Sequence, residues 1–270
     1  MTTTIAPRGH FAGLGLGEIW KYRELLYFLA WRDVKIRYKQ TLIGVAWAVL
    51  QPVLTTAVFT VIFSNYARFD TGGVPYPLFA LSGLMIWLYV HSSVTLASGS
   101  FVTNTNLVTK VYFPRLILPL AAVIAGLFDL FFSALVFVVL MLYYGVAPSP
   151  GIAFGVGFIV LGLVLASAFG ILFSALNVRF RDVKFALPFL LQVWMIASPV
   201  FYPTSLLSPT WKLVFALNPL TGILDGFRSA IFGLPLDWPV IGISAASLLV
   251  ILIFSLLVFR WMEDSFADLI

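Results

Sequence analysis

Leu116 to Leu142 reads LILPLAAVIAGLFDLFFSALVFVVLML, and Asp129 is the one charge within it. As a helix the run is about 40 Å long at 1.5 Å per residue, more than the roughly 30 Å of hydrocarbon in a bilayer. It predicts a spanning helix. The same test, applied outward to each long gap between charged residues, predicts five more. These run from Leu42 to about Ser64, Leu78 to Ala97, Gly151 to about Leu176, Phe185 to about Phe201, and about Val240 to Phe259. The fourth span in chain order carries glycines at 151, 155, 157, 162 and 170, interleaved with Ala and Ser. Small residues let helix backbones approach closely in lipid, so this span is expected to pack on protein. The fold class is all-α and integral to a membrane.

Composition agrees. Of 270 residues, 61% are hydrophobic and 10% charged, whereas soluble domains are about half apolar and a quarter charged. The absence of cysteine excludes disulfides, thiolate metal sites and cysteine nucleophiles. Two histidines, His10 and His91, are too few for a histidine metal cluster, so no metal is expected. Met1 to Gly17 lacks an apolar core followed by a cleavage site, and no signal peptide is expected. The organisation predicted is a flexible cytoplasmic segment over 1–17, an amphipathic interface helix over 18–40, and six spans within 41–270.

Lys and Arg sort by side. Thirteen fall in the amino-terminal segment, the loops after spans two and four, and the tail; only Arg68, Lys212 and Arg228 fall on the other side. The positive-inside rule then places both termini in the cytoplasm. The excess of basic charge is topological, and nucleic acid is not expected as a partner.

Glu18 to Lys39 contains neither Gly nor Pro. On a helix of 3.6 residues per turn, Lys21, Glu24, Arg32, Lys35 and Lys39 share a face, beside a stripe of Trp20, Tyr27, Trp31 and Tyr38. A basic and aromatic helix of this kind lies at headgroup depth. Two roles remain open for it. It either anchors the chain, or it uses Arg37, Lys39 and the backbone near Gly44 to hold an anionic headgroup, since a guanidinium binds phosphate oxygens bidentately.

Gln51, Asp129 and Gln192 lie near the middle of predicted spans. An intramembrane carboxylate normally faces a bundle interior or an aqueous path. With no second charge expected at its depth, Asp129 reads as a hydrogen-bonding group or a channel wall in preference to an ion-coupling site. Among 44 aromatic residues, packing and interfacial belts account for most; a minority, with Trp87 and Trp194 as candidates, could line a pathway.

Ser100 to Arg115 is polar enough to leave the bilayer, long enough for a short helix, and stopped by Pro114. Asn177 to Lys184 is compact and charged. Both suit docking of a soluble partner. On the far side, prolines at 203, 209, 219, 235 and 239 cut Pro199 to Pro239 into pieces shorter than a span. Half-length apolar helices broken at Asn218-Pro219 suggest a re-entrant or interfacial pair, either capping a pathway or forming an inert outer lid.

Trp31-Arg32-Asp33-Val34-Lys35-Ile36-Arg37-Tyr38-Lys39-Gln40-Thr41-Leu42-Ile43-Gly44, continuing through Trp47 to Gln51-Pro52, resembles the start of the membrane subunits of ABC-2-type polysaccharide exporters, the permeases for O-antigen, teichoic acid and capsule polymers. Lys110-Val111-Tyr112-Phe113-Pro114-Arg115, Arg179-Phe180-Arg181-Asp182-Val183, Pro199-Val200-Phe201-Tyr202-Pro203 and Asn218-Pro219 are similar to that family in order and spacing. The likeness runs from about Glu18 to the end. It implies a homodimer of six-span subunits in a bacterial inner membrane, working with two cytoplasmic ABC ATPases that bind ATP and Mg. This chain has no G-x-x-x-x-G-K-[ST] phosphate loop and is expected to hold no cofactor and to be no enzyme itself.

By the resemblance, Arg32, Lys35, Arg37, Lys39, Leu42 and Gly44 would meet the diphosphate of a polyprenyl-linked glycan. Thr103, Asn104, Thr105, Asn106 and Lys110, with Arg179, Arg181 and Asp182, would couple to the ATPase. Gln51, Trp87, Asp129, Gln192 and Trp194 would line the polymer channel, and Tyr202, Pro203, Asn218, Pro219 and Arg228 an outer gate. Two other functions are weighed against export of a polysaccharide: export of a small molecule or drug, and a polyprenyl-phosphate-dependent membrane transferase. The transferase would need clustered carboxylates for a divalent metal or acid and base work, and the eleven acids here are scattered.

Overall fold

The charge-free runs become helices in the expected order, but their ends move: the helix expected over 78–97 runs from Tyr76 to Thr103, into the stretch expected to leave the bilayer, and two further changes bear on the site. The computed structural model describes residues 16–39, 44–66, 69–263 and 266, and only the backbone of Leu16 and residues 64–66. In chain order the helices are α1 (Leu16–Lys21), α2 (Arg23–Tyr38), α3 (Ala46–Tyr66), α4 (Tyr76–Thr103), α5 (Thr105–Lys110), α6 (Ile117–Tyr144), α7 (Ile152–Arg179), α8 (Val183–Ile196), α9 (Pro209–Ala216), α10 (Pro219–Phe232) and α11 (Trp238–Glu263). Among the described residues every regular element is helical.

Five of these, α3, α4, α6, α7 and α11, are long and apolar enough to cross a membrane. The run expected as span five is shorter than drawn. Helix α8 has 14 residues, about 21 Å at 1.5 Å each, and stops at Ile196. Ser198 Oγ donates to the Trp194 carbonyl, Pro199 has no N–H to continue the ladder, and the chain turns. Length alone therefore does not make α8 a span. The second change is at the amino terminus, where the single helix expected over 18–40 breaks at Tyr22 into α1 and α2.

Local chemistry sets several ends. Helix α6 stops at Gly145, whose φ of +67° takes the left-handed cap that Cβ-bearing residues avoid, while Val146 N–H donates back to the Met141 carbonyl. Helix α10 starts with Pro219 at its first position and Asn218 as N-cap, accepting from Leu220 N–H at 3.2 Å.

Helix α4 is the hub. It is the most enclosed of the five long helices and packs against α3, α6, α7, α8 and α10. Its Ser, Ala and Gly positions let neighbours in: a Cβ on Gly170 of α7 would sit 2.9 Å from the Ala97 methyl, and Gly126 of α6 lies over Ser93 and Tyr89. The glycines of α7 behave as expected with one exception, Gly157, which faces open space. One apolar core surrounds α4, and a second joins α2, α5 and the nearby ends of α4, α6, α7 and α11.

Candidate functional site

Helices α2, α3, α4 and α6 enclose a cavity of about 420 Å³ lined by Arg37, Tyr38, Trp47, Gln51, His91 and Asp129, among others. Leu29, Ala30 and Val34 are the buried face of α2, and seating Leu29 and Ala30 in the second core carries the end of the helix toward the middle of α6. There Arg37 Nη1 forms an ion pair with Asp129 Oδ2, and Tyr38 OH donates to Asp129 Oδ1. Burial, then the hydrogen bond to Asp129, pushes the Tyr38 phenol up to about 12, so it stays a donor at neutral pH. The reading of Asp129 as a lone charge is thus corrected: its counter-ion comes from α2, 92 residues away. Tyr38 also leaves the outward aromatic stripe assigned to it and packs on Phe128, ring centroids 5.3 Å apart.

One atom at the cavity edge is left over. Arg37 Nη2 is buried and has no hydrogen-bond partner. Around it, the hydroxyls of Ser92 and Thr95 donate to carbonyls of their own helix. A buried guanidinium nitrogen without an acceptor is costly, and it is the kind of group an anionic oxygen satisfies. At the start of the next element Gly44 holds φ +57°, and a Cβ there would meet nothing within 4 Å, so its backbone faces open space.

The other expected headgroup residues separate. Arg32 turns to its neighbour Asp33 at 2.8 Å, and Lys35 lies 5.6 Å from the Trp31 ring centroid on the exposed side of α2. Lys39 is exposed at the end of the helix, and Leu42 lies outside the described residues.

The expected channel wall divides into three places. Gln51 and Asp129 share the cavity. Trp87 is buried and meets Trp194 edge to face at 5.6 Å, while Trp194 Nε1 donates to Asn218 Oδ1 at 2.9 Å. This pair is a junction of α4, α8 and the cap of α10. Gln192 lies on the exposed face of α8.

At the other end of α4, the expected outer-gate residues form a packed block. Arg228 has a partner at each of its three nitrogens: Nη1 donates to the Pro199 carbonyl at 2.7 Å, Nη2 to those of Val200 and Phe79 at 2.7 and 3.3 Å, and Nε to Ser82 Oγ at 3.2 Å. Its guanidinium also stacks 3.7 Å from the Phe79 ring centroid. Burial lowers it to about 10, which leaves it a cation at neutral pH. Pro219 is buried beneath, and half-buried Tyr202 donates to the Ile196 carbonyl at 3.2 Å, with Pro203 following.

The expected coupling residues gather at the α5 end. Thr103, Asn104 and Thr105 turn their side chains back onto carbonyls of α4 and make the bend into α5, Asn106 and Lys110 are exposed, and Val108 anchors α5 in the second core. Arg181 and Asp182 are exposed, whereas Arg179 stacks on Trp261 at 5.2 Å. Arg115, which sequence reasoning passed over, donates to the Glu263 carbonyl and lies against Phe266. Two basic residues thus hold the end of α11, and no spacing between Arg115 and Glu263 signals it.

Comparison with known proteins agrees with this architecture. Residues 24–232 match the ABC-2 type transporter family. The O-antigen export system permease protein RfbA of Myxococcus xanthus is 29% identical over 93% of this chain and 97% of its own. A Klebsiella pneumoniae protein of the same name is 27% identical over 92% and 95%. The polysialic acid transport protein KpsM of Escherichia coli is 25% identical over 74% of this chain and 78% of its own. With most of its length matched, and helices enough for several membrane crossings, the chain belongs to the ABC-2 type transporter family of permeases.

Proposed function

We propose that this protein is the membrane half of an ATP-driven exporter of polyprenyl-diphosphate-linked polysaccharide. Two copies form the channel, and two separate ABC ATPases, with their ATP and Mg, dock at the α5 end against Asn106, Lys110, Arg181 and Asp182. Both termini face the cytoplasm. Helix α2 lies along the membrane interface, α8 with the turn after it completes a sixth crossing, and α9 and α10 form the outer gate. The relatives named for O-antigen and polysialic acid transport support the class of cargo.

The observation that carries the reading is the unpartnered Arg37 nitrogen beside a cavity between α2 and the first long helix that polar side chains help to line. One nitrogen of the guanidinium is held by Asp129, which fixes its position; another is buried at the cavity edge without an acceptor, and a small shift of the side chain would offer it to a ligand. A phosphate oxygen supplies the missing acceptor, with Lys39 and the open backbone at Gly44 on the approach. Opening and closing of the two ends would then follow the nucleotide cycle of the partner.

Export by cells carrying Arg37→Ala with Lys39→Ala tests the reading, scored as surface polymer by immunoblot against membrane-inserted protein. We expect polymer to fall at least about tenfold, the worth of one charge-assisted hydrogen bond. Unchanged export would reduce α2 to an anchor.

A further inference from the structure

The Arg37 cavity does not end in protein. Along α3 its lining residues Trp47, Ala48, Gln51 and Pro52 alternate with Val49 and Val53, which line a second, apolar hollow of about 690 Å³. Along α6 the same happens: Asp129 and Ser133 face the cavity, Phe132 and Val136 the hollow. Cavity and groove therefore share a border. Rings mark the passage, Tyr38 meeting Phe128 at 5.3 Å and Phe128 meeting Phe132 at 5.0 Å. From Val49 to Val61 the groove follows α3 for about 18 Å at 1.5 Å per residue. Thr56 and Thr60 are the only polar residues lining it.

A charged, half-satisfied head cavity opening into a long apolar groove has the polarity of a single-chain amphiphile. A second apolar hollow of about 530 Å³ lies between α6, α7 and α10, but no charged residue lines it. The two hollows share apolar character and differ in the adjoining cation, so bulk lipid suits both and an anionic headgroup only one.

We propose that the α3–α6 groove seats the isoprenoid chain of a polyprenyl diphosphate whose phosphate occupies the cavity at Arg37. The proposal rests on the export reading above and adds to it a defined path for the tail. The head sits at the depth of Asp129, and the chain runs along α3 and α6 toward Pro77, away from the α5 end.

The test uses the full chain in lipid nanodiscs with p-benzoylphenylalanine at Val139 in the groove or at Val156 in the second hollow. Both positions are exposed, at 62% and 58%, so neither substitution disturbs a core. Undecaprenyl diphosphate, undecaprenol and phosphatidylglycerol are the probes, and adducts are read by mass spectrometry. We expect the diphosphate adduct at Val139 to exceed that at Val156, and that of undecaprenol at Val139, by about tenfold, and to drop similarly in Arg37→Ala. Equal labelling at both positions, or by phosphatidylglycerol, makes the groove a seat for bulk lipid and overturns the proposal. A covalent chain dimer through Val139 makes it a face between copies and also overturns it. If undecaprenyl diphosphate binds in an Arg37-dependent way without an adduct at Val139, the groove assignment fails and the export reading survives. If it does not bind, both fail.

Discussion

Arg37 and Arg228 are both drawn into the bundle, yet one has a partner at every guanidinium nitrogen and the other keeps a nitrogen in reserve. Arg228 has carbonyl or hydroxyl partners on three sides, an aromatic face beneath it, and Asp225 Oδ1 at 3.9 Å. Arg37 has Asp129 on one nitrogen and a second nitrogen, buried beside the cavity, with no partner. A guanidinium partnered at every nitrogen ties helices together and has little left with which to recognise a ligand; one that is held at a single nitrogen is oriented and still able to bind. The difference separates the α9–α10 end of the molecule, which reads as framework, from the α2–α3 junction, which reads as a site.

The sharpest way to break the comparison is at Arg228. Replacing it with Met removes donors from the carbonyls of Phe79, Pro199 and Val200 and leaves Asp225, whose carboxyl burial already pushes upward, without its cation. The expected loss is about 3–5 kcal/mol, seen as failure to accumulate folded protein or as a large drop in thermal unfolding in detergent. Arg228→Lys should rescue little, because an ammonium cannot fork to carbonyls on two elements. A stable Arg228→Lys protein would remove the distinction between the two arginines.

At Arg37 stability and function should separate. Arg37→Ala leaves Asp129 without a counter-ion in a site where both side chains are 22% exposed, and should cost about 2 kcal/mol, less than a deeply buried pair. Adding Asp129→Ala removes the orphaned charge and should restore most of that stability. Polymer export should remain low in both. Recovery of export with recovery of stability would make the pair a structural tie like Arg228.

A smaller effect is expected at the junction between the two regions. Trp194→Phe keeps the ring against Trp87 and deletes the bond to Asn218, while the Asn218 cap on Leu220 stays. About 1 kcal/mol of stability should go, with export nearly intact.

How much of this could be read in advance depends on range. The spans at α6 and α7 follow from charge-free length and end on local signals, Gly145 and the Pro148 to Gly151 turn, so the sequence holds them nearly residue by residue. Asp129 was visible as anomalous, but its partner was not, because nothing local couples it to Arg37 on another helix. The length of α8 was hidden for a different reason. No charge interrupts the run between Ile196 and Phe201, and composition does not distinguish a helix that goes on from one that turns at Pro199. The residues expected as an outer gate do lie together, yet only coordinates reveal that every nitrogen of Arg228 is engaged, since its partners come from two segments far apart in sequence.

Arg32 gives the finest test of the comparison, because it shares a helix with Arg37 and differs from it only in what it faces. Its guanidinium is held by the adjacent Asp33, and the two side chains are 38% and 25% exposed. Exposed pairs are worth little, so Arg32→Ala should change stability by less than about 0.5 kcal/mol. It should also leave export close to the native level, with any deficit growing weaker as salt is raised, as expected for a screened charge near a membrane surface. The outcome that matters is its ratio to Arg37→Ala. Equal losses at the two positions would mean that α2 works through its total positive charge and the cavity has no privileged ligand. A loss confined to Arg37 would mean that recognition depends on the one guanidinium whose position Asp129 fixes and whose second nitrogen the protein leaves unpaired.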